Sequence, residues 1–91
     1  MAQVMVPICS IRYEEGDTYP LEAVDVLYMS GFMDDDCYTS TMRVSVPHET
    51  ERADIRQALR QKLPRDEADR LIKLLDDNDW DVSFFVDAYA G

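Results

Sequence analysis

Pro47 divides this chain into two kinds of hydrophobic pattern, and that change of period limits what it can fold into more than any other feature. Before the proline, residues 37–46 alternate. Tyr38, Met42, Val44 and Val46 fall on one face of a strand and Thr39, Thr41, Arg43 and Ser45 on the other. After it, apolar residues recur every three or four positions. Ile55, Ala58, Leu59 and Leu63 make one stripe and Ala68, Leu71, Ile72 and Leu75 a second, which predicts two helices of about a dozen residues separated by Pro64. The second helix also sets opposite charges four apart, Arg65 with Asp69, Asp66 with Arg70 and Asp69 with Lys73, each pair worth about 0.2–0.5 kcal/mol where exposed.

Residues 4–13 are rich in β-branched and aromatic side chains, but Pro7 cannot donate to a ladder and makes this an edge strand or a bulged one. Residues 21–32 suit two elements. Val24, Val26 and Tyr28 fit a strand pairing with residues 37–46 across a turn at 33–36, whereas Pro20 and Gly31 sit where a helix would start and end. The strand is the expectation. Residues 14–20 read as a loop, and after the Asp76-Asp77-Asn78-Asp79 turn the alternation of residues 80–89 predicts a final strand, with Trp80, Val82, Phe84 and Val86 facing the core and a short third helix as the competitor. The expected fold is α+β: a small, mainly antiparallel sheet, in sequence order β-β-β-α-α-β, with an antiparallel helical pair packed on one face. Ninety-one residues with 46% hydrophobic and 10% aromatic content suffice for one core and not for two, so residues 1–91 read as a single domain.

The residues that usually carry catalysis are sparse. His48, the sole histidine, lies between Pro47 and the first predicted helix, where an exposed or capping role is expected. Every histidine-based triad or metal site would hang on it alone. Cys9 and Cys37 form no C-x-x-C pair and lie in predicted strands with nothing local to lower a thiol pKa, so reduced thiols are expected, with a disulfide as the alternative in an exported protein. Gly16, Gly31 and Gly91 are isolated and build no phosphate-cradling loop. Asp77, Asp79 and Asp81 match the first three acidic positions of a calcium-binding loop. Val82 then stands where its glycine is needed and Ala88 where its bidentate glutamate is needed. The expectation is a chain that is not an enzyme and takes no cofactor or metal. Residues 1–7 have neither a basic start nor a long apolar run, which predicts no signal peptide, no membrane span and a cytoplasmic setting.

Charge is the feature that points to function. Nineteen acids and nine bases give −10, but the bases are concentrated: Arg52, Arg56, Arg60, Lys62, Arg65, Arg70 and Lys73 share residues 52–73 with four acids, a window of +3. The remaining residues hold fifteen acids and only Arg12 and Arg43, a remainder of −13. Arg52, Arg56 and Arg60 line up on one helix as a DNA-binding stripe would. Against so acidic a background they are expected to pair with acidic loops or with Glu49 and Asp54. The overall field repels nucleic acid and anionic membranes and attracts a protein partner with a basic surface.

Ten acids gather in three clusters, and these are the predicted partner-binding residues: Glu14, Glu15 and Asp17; Asp34, Asp35 and Asp36; and Asp76, Asp77, Asp79 and Asp81. On one view they are solvated turns that keep the protein soluble. On the other they imitate phosphates. Alternate strand residues lie about 6.5–7 Å apart, a spacing comparable to neighbouring phosphates, and arginine grips carboxylate and phosphate with the same fork. In size, acidity and lack of catalytic parts the chain resembles, in profile and not through any motif, the DNA-mimic inhibitors of phage and plasmid, such as anti-CRISPR and anti-restriction proteins, and the immunity proteins that block toxic nucleases. That resemblance implies an inhibitor that occupies the nucleic-acid-binding surface of a nucleic-acid-processing enzyme or complex without binding nucleic acid itself. The alternative is a non-catalytic structural or assembly subunit that binds through an aromatic sheet face. It rests on Tyr28, Tyr38, Phe84, Phe85 and Tyr89, with Phe85 and Tyr89 facing away from Phe84 and a homodimer through the last strand as one way to cover them.

Overall fold

A computed structural model describes residues 8–36 and 38–89. The elements are β1 (Ile8–Arg12), β2 (Thr18–Pro20), α1 (Leu21–Met29), β3 (Met33–Asp36), β4 (Thr41–Ser45), α2 (Glu49–Lys62), α3 (Arg65–Asp77) and β5 (Asp81–Tyr89). The five strands form one antiparallel sheet in the order β2-β1-β5-β4-β3. The fold is the α+β arrangement expected from the change of period, and α2 and α3 form its helical pair. Arg60 lies near Asp69, and Arg56 near Asp76, so the two helices run in opposite directions.

Residues 21–32 correct the expectation of a strand. They form α1, and Ala23, Val24, Val26 and Leu27 are all buried, a two-on, one-off spacing that follows one helical face. Val24 and Val26 fit either pattern, but Ala23 and Leu27 are buried with them and Tyr28 only partly so, which breaks the alternation. Gly31 follows the helix with φ +82° and donates its N–H to the Tyr28 carbonyl, a left-handed C-terminal stop that suits glycine. Because α1 joins the two edge strands, β2 and β3, it must carry the chain across the sheet. The element order is therefore β-β-α-β-β-α-α-β.

Three boundaries also move. Residues 33–36, expected as a turn, are the edge strand β3, and the turn falls later, at residues 38–40. There Asp36 accepts the N–H groups of Tyr38 and Thr39. β2 lies within the stretch expected as a loop. β1 begins at Ile8, and the expected segment 4–7, with Pro7, falls outside the described residues. β1 is bulged as expected, with register shifts against β5 between Ile8 and Ser10 and between Ser10 and Ile11, but it is flanked by β2 and β5 and is not an edge. The last strand, β5, is as predicted and lies at the centre of the sheet. Both its edges are paired, so it has no free edge to offer a second copy.

All four residues of each predicted helical stripe face the core, Ala58 only partly buried. Met42, Val44 and Val46 join them from β4, and Val82 and Phe84 from β5, with Trp80, Tyr19 and Ile11. Each large side chain so buried contributes roughly 1.5–3 kcal/mol relative to exposure. The other sheet face, bearing Arg43 and Ser45 of β4 and Asp81, Ser83, Phe85 and Asp87 of β5, is open to solvent. Among the described residues no helix is long and apolar enough to cross a membrane.

Candidate functional site

The three acidic clusters do not share one face. Glu14, Glu15 and Asp17 lie in the tight turn between β1 and β2, closed by Gly16 N–H to the Tyr13 carbonyl at 2.8 Å. Asp34, Asp35 and Asp36 make up most of β3, at the opposite edge of the sheet, four strand spacings or about 19 Å away. Asp76, Asp77, Asp79 and Asp81 surround the corner where α3 turns into β5.

The third cluster is neutralised by the protein's own cations. Asp81 holds the Arg43 guanidinium through two bonds of 2.8 Å, which lowers the carboxyl pKa and raises that of the guanidinium. Asp79 lies 3.4 Å from Arg52, whose Nε also donates to the Val46 carbonyl at 2.7 Å. Asp77 pairs with Lys73 at 2.9 Å. Asp76 accepts from Arg56 at 3.1 Å and from the Trp80 indole N–H at 2.6 Å; burial pushes its carboxyl pKa up, but these two donors outweigh burial and hold it low. This cluster fastens a corner and presents little free charge. The stripe of Arg52, Arg56 and Arg60 behaves as expected, bridging α2 to Asp79, to Asp76 and to Asp69, with Arg56 also pairing with Glu49 at the start of α2. Asp54, the other expected partner, takes no part. On α3 the Arg65–Asp69 pair forms at 4.0 Å, but Arg70 reaches Asp17 and Lys73 reaches Asp77 in place of the other two expected partners.

Asp17 is thus paired too, at 3.1 Å from Arg70, which leaves Glu14 and Glu15 free in the first cluster. The second cluster has no cation within 4.0 Å among the described residues. Asp34 faces Arg43 across the β3–β4 ladder, but that guanidinium lies on Asp81. Asp35 points to the helix side of the sheet, accepts the Tyr28 hydroxyl and has a raised pKa from partial burial. Asp34 and Asp36 share the open side, about 6.5–7 Å apart.

Among the described residues, eight of the nine lysine and arginine side chains pair with eight carboxylates, and Lys62 alone has no partner there. The net charge of −10 therefore resides on eleven unpaired acids offset by Lys62. Beyond the five in the predicted clusters these are Glu22 and Asp25 on α1, Glu51 and Asp54 on α2, and Asp66 and Glu67 on α3. Sequence reasoning missed them because charge summed along the chain hid which acids each cation would reach. Asp25 and Asp54 line an open groove between α1 and α2, with a volume of about 670 Å³ and with Val26, Met29, Ile55 and Ala58 also in its lining. Tyr28 ties α1 to β3 through Asp35 alone, and Asp34 and Asp36 lie on the other side of the sheet from this groove.

The aromatic residues considered for a sheet-face interface are scattered. Phe84 is in the core, Tyr28 is on α1, and Tyr38 is fully exposed in the β3–β4 turn, off the core face where alternation placed it. Phe85 lies on the open sheet face beneath the Arg12 guanidinium, 5.3 Å from the ring centre, and Arg12 is held in turn by Asp87. Tyr89 ends β5. His48 is exposed at the N-cap of α2 and makes no side-chain capping bond. Among the described residues no group of three or more His, Cys, Asp or Glu side chains is placed to hold a metal ion. Comparison with protein-family models, with curated proteins and with solved structures finds no match to this chain.

Proposed function

We propose that this chain is a small, non-catalytic binding protein that inhibits a nucleic-acid-processing partner by covering its basic, nucleic-acid-binding surface. The observation that carries the reading is the β3 edge. Asp34, Asp35 and Asp36 stand there with no cation within 4.0 Å among the described residues, while eight of the nine lysine and arginine side chains pair elsewhere. A strand holds its carboxylates at fixed spacing, so arginine and lysine side chains that neutralise phosphates can meet them with little reorganisation. The paired third cluster shapes the scaffold, and the contact surface contracts from the ten predicted acids to Asp34, Asp35 and Asp36, with Glu14 and Glu15 as a separate free pair at the other edge.

The test is capture of partners on the tagged protein, eluted with rising salt or with competitor duplex DNA. A nucleic-acid-binding partner released by both, and retained at least about tenfold less by the Asp34→Asn/Asp36→Asn variant, is the expected result. Retention indifferent to salt, to DNA and to that variant would remove the reading.

A further inference from the structure

From the α1–α2 groove we infer a second binding surface, one that takes a cationic amphipathic helix from a protein partner. This inference stands independently of the phosphate-mimic reading. The groove holds about 670 Å³ and has apolar groups from both helices, Val26 and Met29 on one side and Ile55 and Ala58 on the other. Met29 is 87% exposed, so a large flexible thioether stands in water at the edge of an apolar channel. Such a side chain adapts its shape to an incoming apolar face. Leu21, one of the four large hydrophobic residues exposed among those described, continues the same face of α1 two turns earlier.

Charge complementarity identifies the occupant. Asp25 on α1 and Asp54 on α2 line the groove from its two sides, and neither has a cation within 4.0 Å among the described residues. Lys62, at the last turn of α2, is the one cation in the lining. Glu22 and Glu51, also unpaired, lie one turn before Asp25 and Asp54 on their helices. An anionic or purely apolar segment would leave these carboxylates repelled or desolvated. A helix with leucine-like residues along one face and lysine or arginine on its flanks would fill the channel and reach acids on both walls. The nine residues of α1 extend about 13.5 Å, enough for two to three turns of such a helix.

The probe is a synthetic helical peptide of about 14 residues, roughly four turns, with leucines on one face and lysines on both flanks. Its control has the same composition with the leucines scattered around the helix. Binding to the full chain is followed by amide NMR shifts and by fluorescence anisotropy of the labelled peptide. The expected result is shifts centred on Val26, Met29, Ile55 and Ala58, and affinity at least about tenfold above the control. Met29→Lys and Asp54→Lys, both at exposed positions, should each lower affinity about tenfold, while Asp34→Asn/Asp36→Asn leaves it unchanged. That last comparison separates this inference from the mimic reading, because loss through β3 alone would support the mimic and overturn the groove. Equal binding of the scattered control, no binding, or no effect of Met29→Lys would also overturn it. So would concentration-dependent shifts of the same four residues in the free protein, which would assign the groove to a second copy.

Discussion

Trp80 shows how much one side chain can organise. Its φ of 56° follows another left-handed residue, Asp79 at 54°, a conformation that bulky residues rarely adopt and that costs of order 1–3 kcal/mol each. The turn holds because the Trp80 N–H reaches the Leu75 carbonyl at 2.7 Å, its carbonyl accepts from Val46 at 2.9 Å, and its buried ring lies beneath the Arg56 guanidinium, 5.1 Å away. Asp76 completes this arrangement. Asp76→Ala would leave the buried indole N–H without its acceptor, and a loss of about 1–2 kcal/mol is expected in urea unfolding followed by the fluorescence of this single tryptophan; the solvent-exposed side of Asp76 keeps it in the lower part of the usual range. The same site sets the acid response. The folded-state pKa values of Asp76, Glu49 and Asp81 are all lowered, so their contribution is present above the unfolded carboxylate range and is lost as pH falls through and below about 4. Asp35 has the opposite sign, its raised pKa giving stability that is lost as pH rises. Asp35→Asn should accordingly flatten the stability profile above pH 4 and deepen the relative loss in acid, as read by the unfolding midpoint across a pH series.

At the scale of elements, the parts with long-range periodicity were legible and the short ones were not. α2, α3 and β5 each repeat their pattern over several turns or pleats, so the buried stripes of Ile55, Leu59 and Leu63 and of Ala68, Leu71, Ile72 and Leu75 could be read directly. α1 is nine residues long, and over that length the apolar residues Val24, Val26 and Tyr28 alternate as a strand would although the buried face is helical. The deciding signals were Ala23 and Leu27 beside them and the stop at Gly31. β2 and β3 have three and four residues; β3 is held by its place beside β4, because Met-Asp-Asp-Asp has no strand propensity of its own. The stop at Gly31 can be tested directly. A Cβ there would meet nothing within 4 Å, so Gly31→Ala would test backbone conformation alone. The left-handed φ predicts a loss of about 1–2 kcal/mol in chemical unfolding, and Gly31→Asn should recover part of it; equal stability of all three chains would mean that α1 does not need this stop.

For the whole molecule, sequence disclosed the amount of charge and concealed its arrangement. The +3 window does not face the world as a basic patch, because Arg52, Arg56 and Arg70 reach out of it to Asp79, Asp76 and Asp17, acids far away in sequence. Only the folded chain can show that these pairs use up most of the cationic charge and leave Asp34, Asp35 and Asp36 free. The pairing has a measurable consequence for stability. Folding gathers −10 into a Cα radius of gyration of 12.6 Å, against about 30 Å for an unfolded chain of this length, so the unpaired acids repel one another more strongly when folded. Added salt shortens the screening length from about 30 Å at 0.01 M to about 10 Å at 0.1 M. That change removes repulsion across the molecule while sparing the closest contacts, such as Arg43–Asp81 at 2.8 Å, which lie well inside either length. Exposed pairs of this kind contribute at most about 1 kcal/mol each, so the relief of repulsion should dominate. The thermal midpoint is expected to rise between 0.01 and 0.1 M sodium chloride, and to rise less in Asp34→Asn/Asp36→Asn, which removes two of the unpaired charges. A midpoint that falls with salt would show instead that the ion pairs between elements outweigh the repulsion, and that the free carboxylates of β3 impose no strain on the folded chain that a basic partner could relieve.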